Sequence, residues 1–444
     1  MKALKLSLVA ALAVGSFSAL NAKPLEEAIK NVDVSGELRY RYDSSTARKA
    51  PQAFIGAGVA GNQDHRFRAR FGAKADIGDG FKIFGQIHYD NDKNRGFGDP
   101  ASAGQGRTQT GNSFALRQAY LQYDMADYGL NFIWGRQELG TIWTDDFVGT
   151  AAKVVYSPYD GLAIAAFAVD SFEENTDGDN ANFGYILGDG QTGVGVDGNP
   201  QYNENHPNVR NMLTSRLYKY NMYGAAVLSG FDLGGSSLDF NLWFAQLMNT
   251  ATFYAADFKY TLPLADDLAW SLRATYLGNS VDSYFKNRGA DAGNFVNLYG
   301  DIKGYGFDGG LGGVYYGKKD KITINTIEDV GSFGLSVGKE FMYSRGSWIV
   351  LSQGQTTAGY VNVGYTLPSD FRIGLQGVYG GTKTGANGAA WGGGDKLEGV
   401  VEASYKYSAN LDFLTWYSYL NYSGRTNVDN ETKNTFRIQA RYTF

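Results

Sequence analysis

The sequence predicts an all-β protein: a transmembrane antiparallel β-barrel of about 18 strands. Three observations carry this prediction. Segments of about ten residues alternate apolar and polar side chains, the connections alternate between long and short, and one apolar face runs to the last residue. The mean hydropathy of −0.31 is too low for a helical membrane protein. A barrel tolerates that value because only alternate residues of each strand contact lipid.

The alternation is clearest near the start of the chain. In the segment 32–43 one face is apolar, with Val32, Val34, Leu38, Tyr40 and Tyr42. The other face carries Asp33, Glu37, Arg39, Arg41 and Asp43. A period of two indicates a strand with one apolar and one polar face. The segments 66–76, 410–422 and 435–444 show the same pattern, so we expect it throughout the barrel.

The connections between the candidate strands sort by length. The long ones are 43–64, 91–112, 137–150, 170–221, 279–293, 318–356, 381–395 and 423–433. The short ones are 76–80, 125–128, 158–160, 231–236, 261–266, 368–369 and 408–410. Turn-forming residues fill the short set, as at Pro158 and Pro368. Long outer loops opposite short periplasmic turns are typical of outer-membrane barrels.

The two ends of the chain predict export and assembly. Lys2 and Lys5 precede the apolar run 6–20, which predicts a signal peptide over residues 1–22 and leaves residues 23–444 as a single barrel domain. The last strand ends in Tyr442 and Phe444, which resemble the sorting signal that the barrel-assembly machinery reads. We therefore expect a protein of the outer membrane of a Gram-negative bacterium, surrounded by outer-membrane lipid.

Composition excludes several classes of function. The net charge of −5 becomes more negative once Lys2 and Lys5 are removed, which argues against a nucleic-acid partner. The chain has no cysteine, so it is not a disulfide-stapled domain. The three histidines, His65, His88 and His206, have neither metal-ligand spacing nor a suitable serine partner. We therefore predict that the protein is not an enzyme.

A basic wall is the first candidate functional feature. Several cations fall on the polar faces of the first, second and last strands: Arg39, Arg41, Arg66, Arg68, Arg70, Lys74, Arg437 and Arg441. Lys82 extends the set onto the third strand. The last strand pairs with the first in a closed barrel, so these side chains are expected to form one patch on the inner wall. Lumen charges tune selectivity; the alternative is that acids such as Glu37 and Asp76 neutralise them.

The loop after the fifth strand is the second candidate feature. It combines aromatic residues with adjacent carboxylates, in Trp143, Asp145, Asp146 and Phe147. Folded into the lumen, it would press Trp143 and Phe147 on the wall and turn both acids to the pore. Acids facing arginines across a constriction would create a transverse field. An ordinary surface loop is the alternative.

Several segments resemble the campylobacter-type major outer membrane porin. They are 24–30, 32–36, 39–42, 142–145, 165–172, 276–280 and 379–384. The similarity runs nearly end to end and weakens in the loops 43–64, 173–221 and 318–356. The resemblance implies an 18-stranded homotrimeric general porin, with the third long loop inside the barrel and antigenic loops outside.

The resemblance also implies a calcium ion near the constriction. Its ligands would fall on Asp146, or on Asp145 because this loop is shorter, and on Glu328 and Asp177. Oxygen ligands from separate loops suit calcium, while solvated loop acids are the alternative. No cofactor is otherwise expected.

The function that the sequence favours is a general diffusion porin. It would pass ions and small hydrophilic solutes through a charged constriction. A substrate-specific outer-membrane channel or a surface adhesin stays open as the alternative.

Overall fold

The computed structural model describes residues 32–48, 62–90, 114–172, 191–194, 200–202, 213, 216–344, 346–384, 393–423 and 430–444. Within them, 18 antiparallel strands form one sheet that closes on itself. The predicted signal peptide at residues 1–22 lies outside the described residues and stays a prediction. No described helix has the length and apolar character needed to cross a membrane.

The barrel strands follow one another around the wall in chain order. They are β1 (Val32–Arg48), β2 (Asn62–Gly78), β3 (Phe81–Asp90), β4 (Ala115–Met125), β5 (Leu130–Glu138), β6 (Val148–Tyr159), β7 (Leu162–Phe172), β10 (Met222–Asp232), β11 (Ser237–Leu247), β12 (Ala251–Ala265), β13 (Leu268–Val281), β14 (Asn294–Gly304), β15 (Phe307–Ile324), β16 (Leu351–Thr366), β17 (Phe371–Lys383), β18 (Gly394–Lys406), β19 (Leu411–Ser423) and β20 (Glu431–Thr443). A separate hairpin pairs β8 (Gln191–Val194) with β9 (Pro200–Tyr202). In the described parts of the connections, α1 (Ser283–Lys286) is a short helix, residues 216–219 are helical, and 3₁₀ turns lie at Ala126–Tyr128 and Phe341–Tyr343.

The barrel closes between β1 and β20. Arg39 lies opposite Arg441, and the amide of Gly36 donates to the carbonyl oxygen of Phe444 at 2.9 Å. The amide of Phe444 donates back to Gly36 at 3.1 Å. A side chain at position 36 would collide with the ring of Phe444, so a glycine is needed where the terminal aromatic lies. The predicted closing strand is confirmed.

The two faces of the strands have opposite chemistry. Large apolar side chains are exposed on the outside of the barrel, among them Val34, Leu116, Leu242, Leu311 and Leu375. The polar partners of the same strands point inward. This is the arrangement expected when lipid covers one face and the lumen the other.

All 18 predicted strands are present, but β15 and β16 are longer than predicted. The sequence placed a connection at 318–356, whereas β15 continues to Ile324 and β16 begins at Leu351. At the end of β15 both faces are buried: Thr323 and Ile324 are each 0% exposed. A strand covered on both faces has no polar–apolar alternation, so the pattern could not reveal it.

At least two of the described connections fold into the barrel. We call residues 139–147 the first inward loop and residues 325–350, of which 345 is not described, the second inward loop. Their side chains form an apolar core with the inner wall, including Trp143, Phe333 and Phe341. The sequence predicted only the first of them.

Candidate functional site

The first inward loop is held at its base by β5 and β6. The amide of Leu139 donates to the carbonyl oxygen of Phe147 at 2.9 Å, which closes the loop. Inside it, the amide of Thr144 donates to Thr141 at 3.2 Å, and the two threonine hydroxyls lie 3.0 Å apart. These contacts form a tight turn between Thr141 and Thr144.

The aromatic residues of this loop pack on the inner wall. Trp143 is 0% exposed, and its ring centre lies 5.7 Å from that of Phe253 and 6.3 Å from that of Trp243. Phe147 stacks on Phe172 at 5.6 Å. The loop is therefore anchored by apolar contacts on β7, β11 and β12, as the sequence analysis expected of these two side chains.

Asp146 contacts the basic wall directly. Its Oδ2 accepts a hydrogen bond from Nη2 of Arg70 at 2.8 Å and lies 3.5 Å from Nη2 of Arg117. Burial alone would raise the pKa of Asp146, but Arg70 and Arg117 outweigh it and hold the pKa below its usual value. The expected field across a gap does not form at Asp146, because the short loop keeps it against β2 and β4.

Asp145 behaves differently from its neighbour. Its side chain is exposed, and its backbone amide donates to Oε2 of Glu328 at 2.6 Å. The adjacent carboxylates therefore have different surroundings: Asp146 contacts the arginines, whereas Asp145 lies beside the second inward loop.

Arg117 is a site residue that the sequence analysis missed. It is 5% exposed, and its Nη1 lies 2.7 Å from Oε1 of Glu138. Under strict alternation Arg117 and Gln118 would lie on different faces of β4, and Arg117 would face lipid. A bulge opposite Gln86 and Ile87 breaks the register and turns Arg117 inward. The sequence signal for such a bulge is a charged residue at a position that strict alternation assigns to the lipid-facing side of the strand.

The basic wall is brought together on three adjacent strands. Arg39 lies in register with Arg68 on one side and Arg441 on the other, and Arg41 lies opposite Arg66. Four of these arginines are buried, between 2% and 9% exposed: Arg39, Arg41, Arg66 and Arg68. These four side chains are all cationic and lie close together, so neighbouring hydrogen-bond acceptors must stabilise them. Arg41, for example, donates to Oε1 of Gln439 at 2.8 Å and 3.0 Å.

Acids accompany much of the wall. Arg437 binds both oxygens of Asp43 at 2.5 and 2.8 Å, and Arg441 lies 3.1 Å from Asp412. Lys82 binds Asp124 at 2.7 Å. Lys74 instead donates to the neutral Gln122 at 2.8 Å. The wall is thus a paired network rather than a uniform cationic surface.

The second inward loop is joined to the first by backbone hydrogen bonds. The amides of Ile327 and Glu328 both donate to the carbonyl oxygen of Trp143, at 3.0 and 3.1 Å. The amide of Ser332 donates to Ile142 at 3.2 Å. The two loops therefore narrow the lumen as one unit.

Glu328 lies where the two inward loops meet. It is 0% exposed, and its Oε1 has no hydrogen-bond partner among the described residues. Burial raises its pKa to about 9. A carboxyl group in such a place holds either a proton or a cation. Asp177 lies outside the described residues, and no three acidic or histidine side chains within the described ranges are grouped as metal ligands.

Comparisons with known proteins agree with this architecture. The family model of the Campylobacter major outer membrane protein matches residues 1–444. No curated protein matches the chain significantly.

Solved outer-membrane channels share the fold at low identity. OccK9 (OpdG) of Pseudomonas aeruginosa has a TM-score of 0.63 at 13% identity, covering 94% of this chain and 100% of that chain. OccAB3 of Acinetobacter baumannii has a TM-score of 0.63 at 11% identity, covering 94% and 99%. A BenF-like porin from Pseudomonas fluorescens Pf-5 has a TM-score of 0.62 at 12% identity, covering 94% and 99%.

The barrel and the family together point to a channel rather than an enzyme. The family match extends over the whole chain, and the 18-stranded closed sheet is the architecture of the solved channels. The protein is an outer-membrane porin that belongs to the Campylobacter major outer membrane protein family.

Proposed function

We propose that this porin is a general diffusion pore for ions and small hydrophilic solutes. The observation that carries the proposal is the contact of Asp146 with Arg70 and Arg117, where the first inward loop meets the wall. A narrowing with fixed charges of both signs selects solutes by their size and charge, and it does not require a binding site for one particular solute. We propose no catalytic activity.

Liposome swelling with sugars of increasing size tests this function. We expect the rate to fall smoothly with solute size and to stay proportional to solute concentration. Saturation at low concentration would contradict a general diffusion pore.

A substrate-specific channel is the second candidate, favoured by a cavity between the β6–β7 turn and strands β10–β13. It measures about 460 Å³, and Asp239, Lys259 and Arg273 are among its lining residues. Asp239 lies opposite Lys259 in the register, so both charges line one patch. A zwitterionic solute would suit this patch, and its uptake would saturate if the site were used for transport.

Calcium binding at Glu328 is a further part of the proposal. The unpartnered Oε1 of Glu328 supports it, since a buried carboxylate oxygen would be a suitable calcium ligand. Asp146 is the second ligand that the family resemblance suggests, and its Oδ2 is bound by Arg70. Calcium should raise the unfolding temperature of the purified protein and not that of Glu328→Gln. Equal shifts in both proteins would refute the site.

Assembly as a homotrimer is proposed from the family resemblance. The exposed apolar side chains of the outer wall offer surface for both lipid and neighbouring subunits. Crosslinking of an unheated detergent extract should give a trimer band, and a monomer band alone would refute it. Recognition of Tyr442 and Phe444 by the assembly machinery is proposed on the same basis.

A further inference from the structure

The second inward loop lies inside the barrel. It leaves the wall at Ile324 and returns at Leu351, yet it reaches well beyond its own strands. Phe333 packs on Phe295 of β14, with ring centres 5.2 Å apart. Four strands beyond β16, Glu340 binds Lys433 of β20 at 2.5 Å. A chain segment spanning these strands occupies lumen cross-section that solutes would otherwise use.

Glu398 of β18 holds this loop through one carboxylate. The group is 0% exposed. Its Oε1 accepts hydrogen bonds from the amides of Lys339 and Glu340, both at 2.9 Å, and Oε2 accepts from the amide of Phe341 at 2.8 Å. The hydroxyl of Ser418 adds a fourth bond at 2.7 Å. Consecutive backbone amides that converge on one anion form a strong, charge-assisted contact.

Gly338 makes this contact possible. Its φ of +66° lies in the left-handed region that favours glycine. A side chain at this position would also collide with Oε2 of Glu398. The loop therefore requires a glycine immediately before the three amides that bind the carboxylate.

Side-chain contacts reinforce the attachment. Lys396, only 1% exposed, donates to Oγ of Ser347 at 2.5 Å. Lys339 binds Glu402 at 2.5 Å. Ser347 also lies 2.9 Å from Thr382 of β17, measured between the two hydroxyl oxygens. All of these contacts fix the same stretch of the loop to β17 and β18, the two strands that follow β16 in the wall.

We propose that Glu398 determines the size limit of the channel by fixing the position of the second inward loop inside the lumen. The inference rests on the proposed diffusion function and deepens it. An amide at position 398 cannot replace the carboxylate, because its NH₂ group would face backbone donors. The loop would keep its tethers at β15 and β16 and its side-chain contacts, but its backbone amides would no longer be held at β18, and the open cross-section would grow.

The test uses the full-length protein in planar bilayers and in swelling liposomes. Glu398→Gln and, independently, Gly338→Ala should raise the single-channel conductance roughly twofold and admit larger sugars, since both release the same contact. Asp301→Asn is the matched control: it removes one carboxylate of β14, which lies 3.8 Å from Lys303 and belongs neither to the loop contacts nor to the basic wall. It should leave the size limit unchanged.

A reversible lock separates loop release from misfolding. The chain has no cysteine, so Ser347→Cys with Thr382→Cys introduces a single pair of thiols. In the Glu398→Gln background, oxidation should restore the native size limit and reduction should abolish it. A native conductance and size limit in both Glu398→Gln and Gly338→Ala would overturn the inference while leaving the diffusion function intact. Saturable transport by the unaltered protein would instead overturn the proposed function.

Discussion

Asp146 of the first inward loop is bound to Arg70 of β2, with Oδ2 and Nη2 2.8 Å apart. The loop is thus joined electrostatically to the wall it faces, in addition to its apolar anchor on the opposite side. The ion selectivity of the channel at this point depends on the balance between neighbouring positive and negative side chains. Replacing one charged side chain by a neutral one should therefore change the ion selectivity measurably.

Replacing Asp146 by Asn should shift ion selectivity toward anions. Arg70 and Arg117 would then be less balanced at the narrowing. We expect the reversal potential in a tenfold salt gradient to move by on the order of 10 mV, against ~59 mV for perfect selectivity. Asp145→Asn should act in the same direction. Unchanged potentials in both variants would place this loop outside the conduction path.

Replacing Arg437 or Arg441 by Gln should shift selectivity toward cations. Each change leaves a carboxylate, Asp43 or Asp412, without its bound arginine. The same reversal-potential recording measures the effect. If neither variant differs from the native channel, the β20 part of the basic wall does not face permeating ions.

Replacing Arg117 by Met should weaken the barrel by about 2 kcal/mol, because charged hydrogen bonds to the loop are lost. The free energy of unfolding can be measured with urea and gel mobility. Lys82→Met is the control, since its pair with Asp124 is more exposed and should contribute under about 1 kcal/mol. Equal losses would show that burial of Arg117 has no energetic role.

Replacing Trp143 by Ala should destabilise the packed inward loops by about 3–5 kcal/mol, through loss of a large buried ring. The readout is the temperature at which the folded band disappears on an electrophoretic gel. Trp134→Ala on the outer face should have a smaller effect. A native transition for Trp143→Ala would mean that its contacts with Trp243 and Phe253 contribute little.

Replacing Gly36 by Val should impair barrel closure, because the side chain would collide with Phe444. We expect less folded protein in the outer membrane, measured by heat-modifiable mobility. Gly85→Val is the matched control in β3, where an added Cβ meets nothing within 4 Å. Similar folded yields for both variants would argue against a role for the Gly36–Phe444 contact.

Much of the fold follows from local pattern. Lipid on one side of a strand and the lumen on the other impose a period of two, so the sequence alone determined the strands, the alternating loop lengths and the neighbourhood of Arg39 and Arg441. The anchoring of Trp143 and Phe147 could also be predicted from the local sequence, because they are large apolar side chains in a loop that also contains adjacent carboxylates.

Other features depend on contacts between residues far apart in the chain, and only the tertiary structure decided them. Arg117 faces inward because a bulge shifts its register, and Asp146 meets Arg70 because the loop is short. The second inward loop is fixed by Glu398, whose partners begin about 60 positions earlier, at Lys339. Local periodicity reports which medium a side chain faces. It cannot report which distant backbone amides will surround a carboxylate, because that is set by the closed sheet.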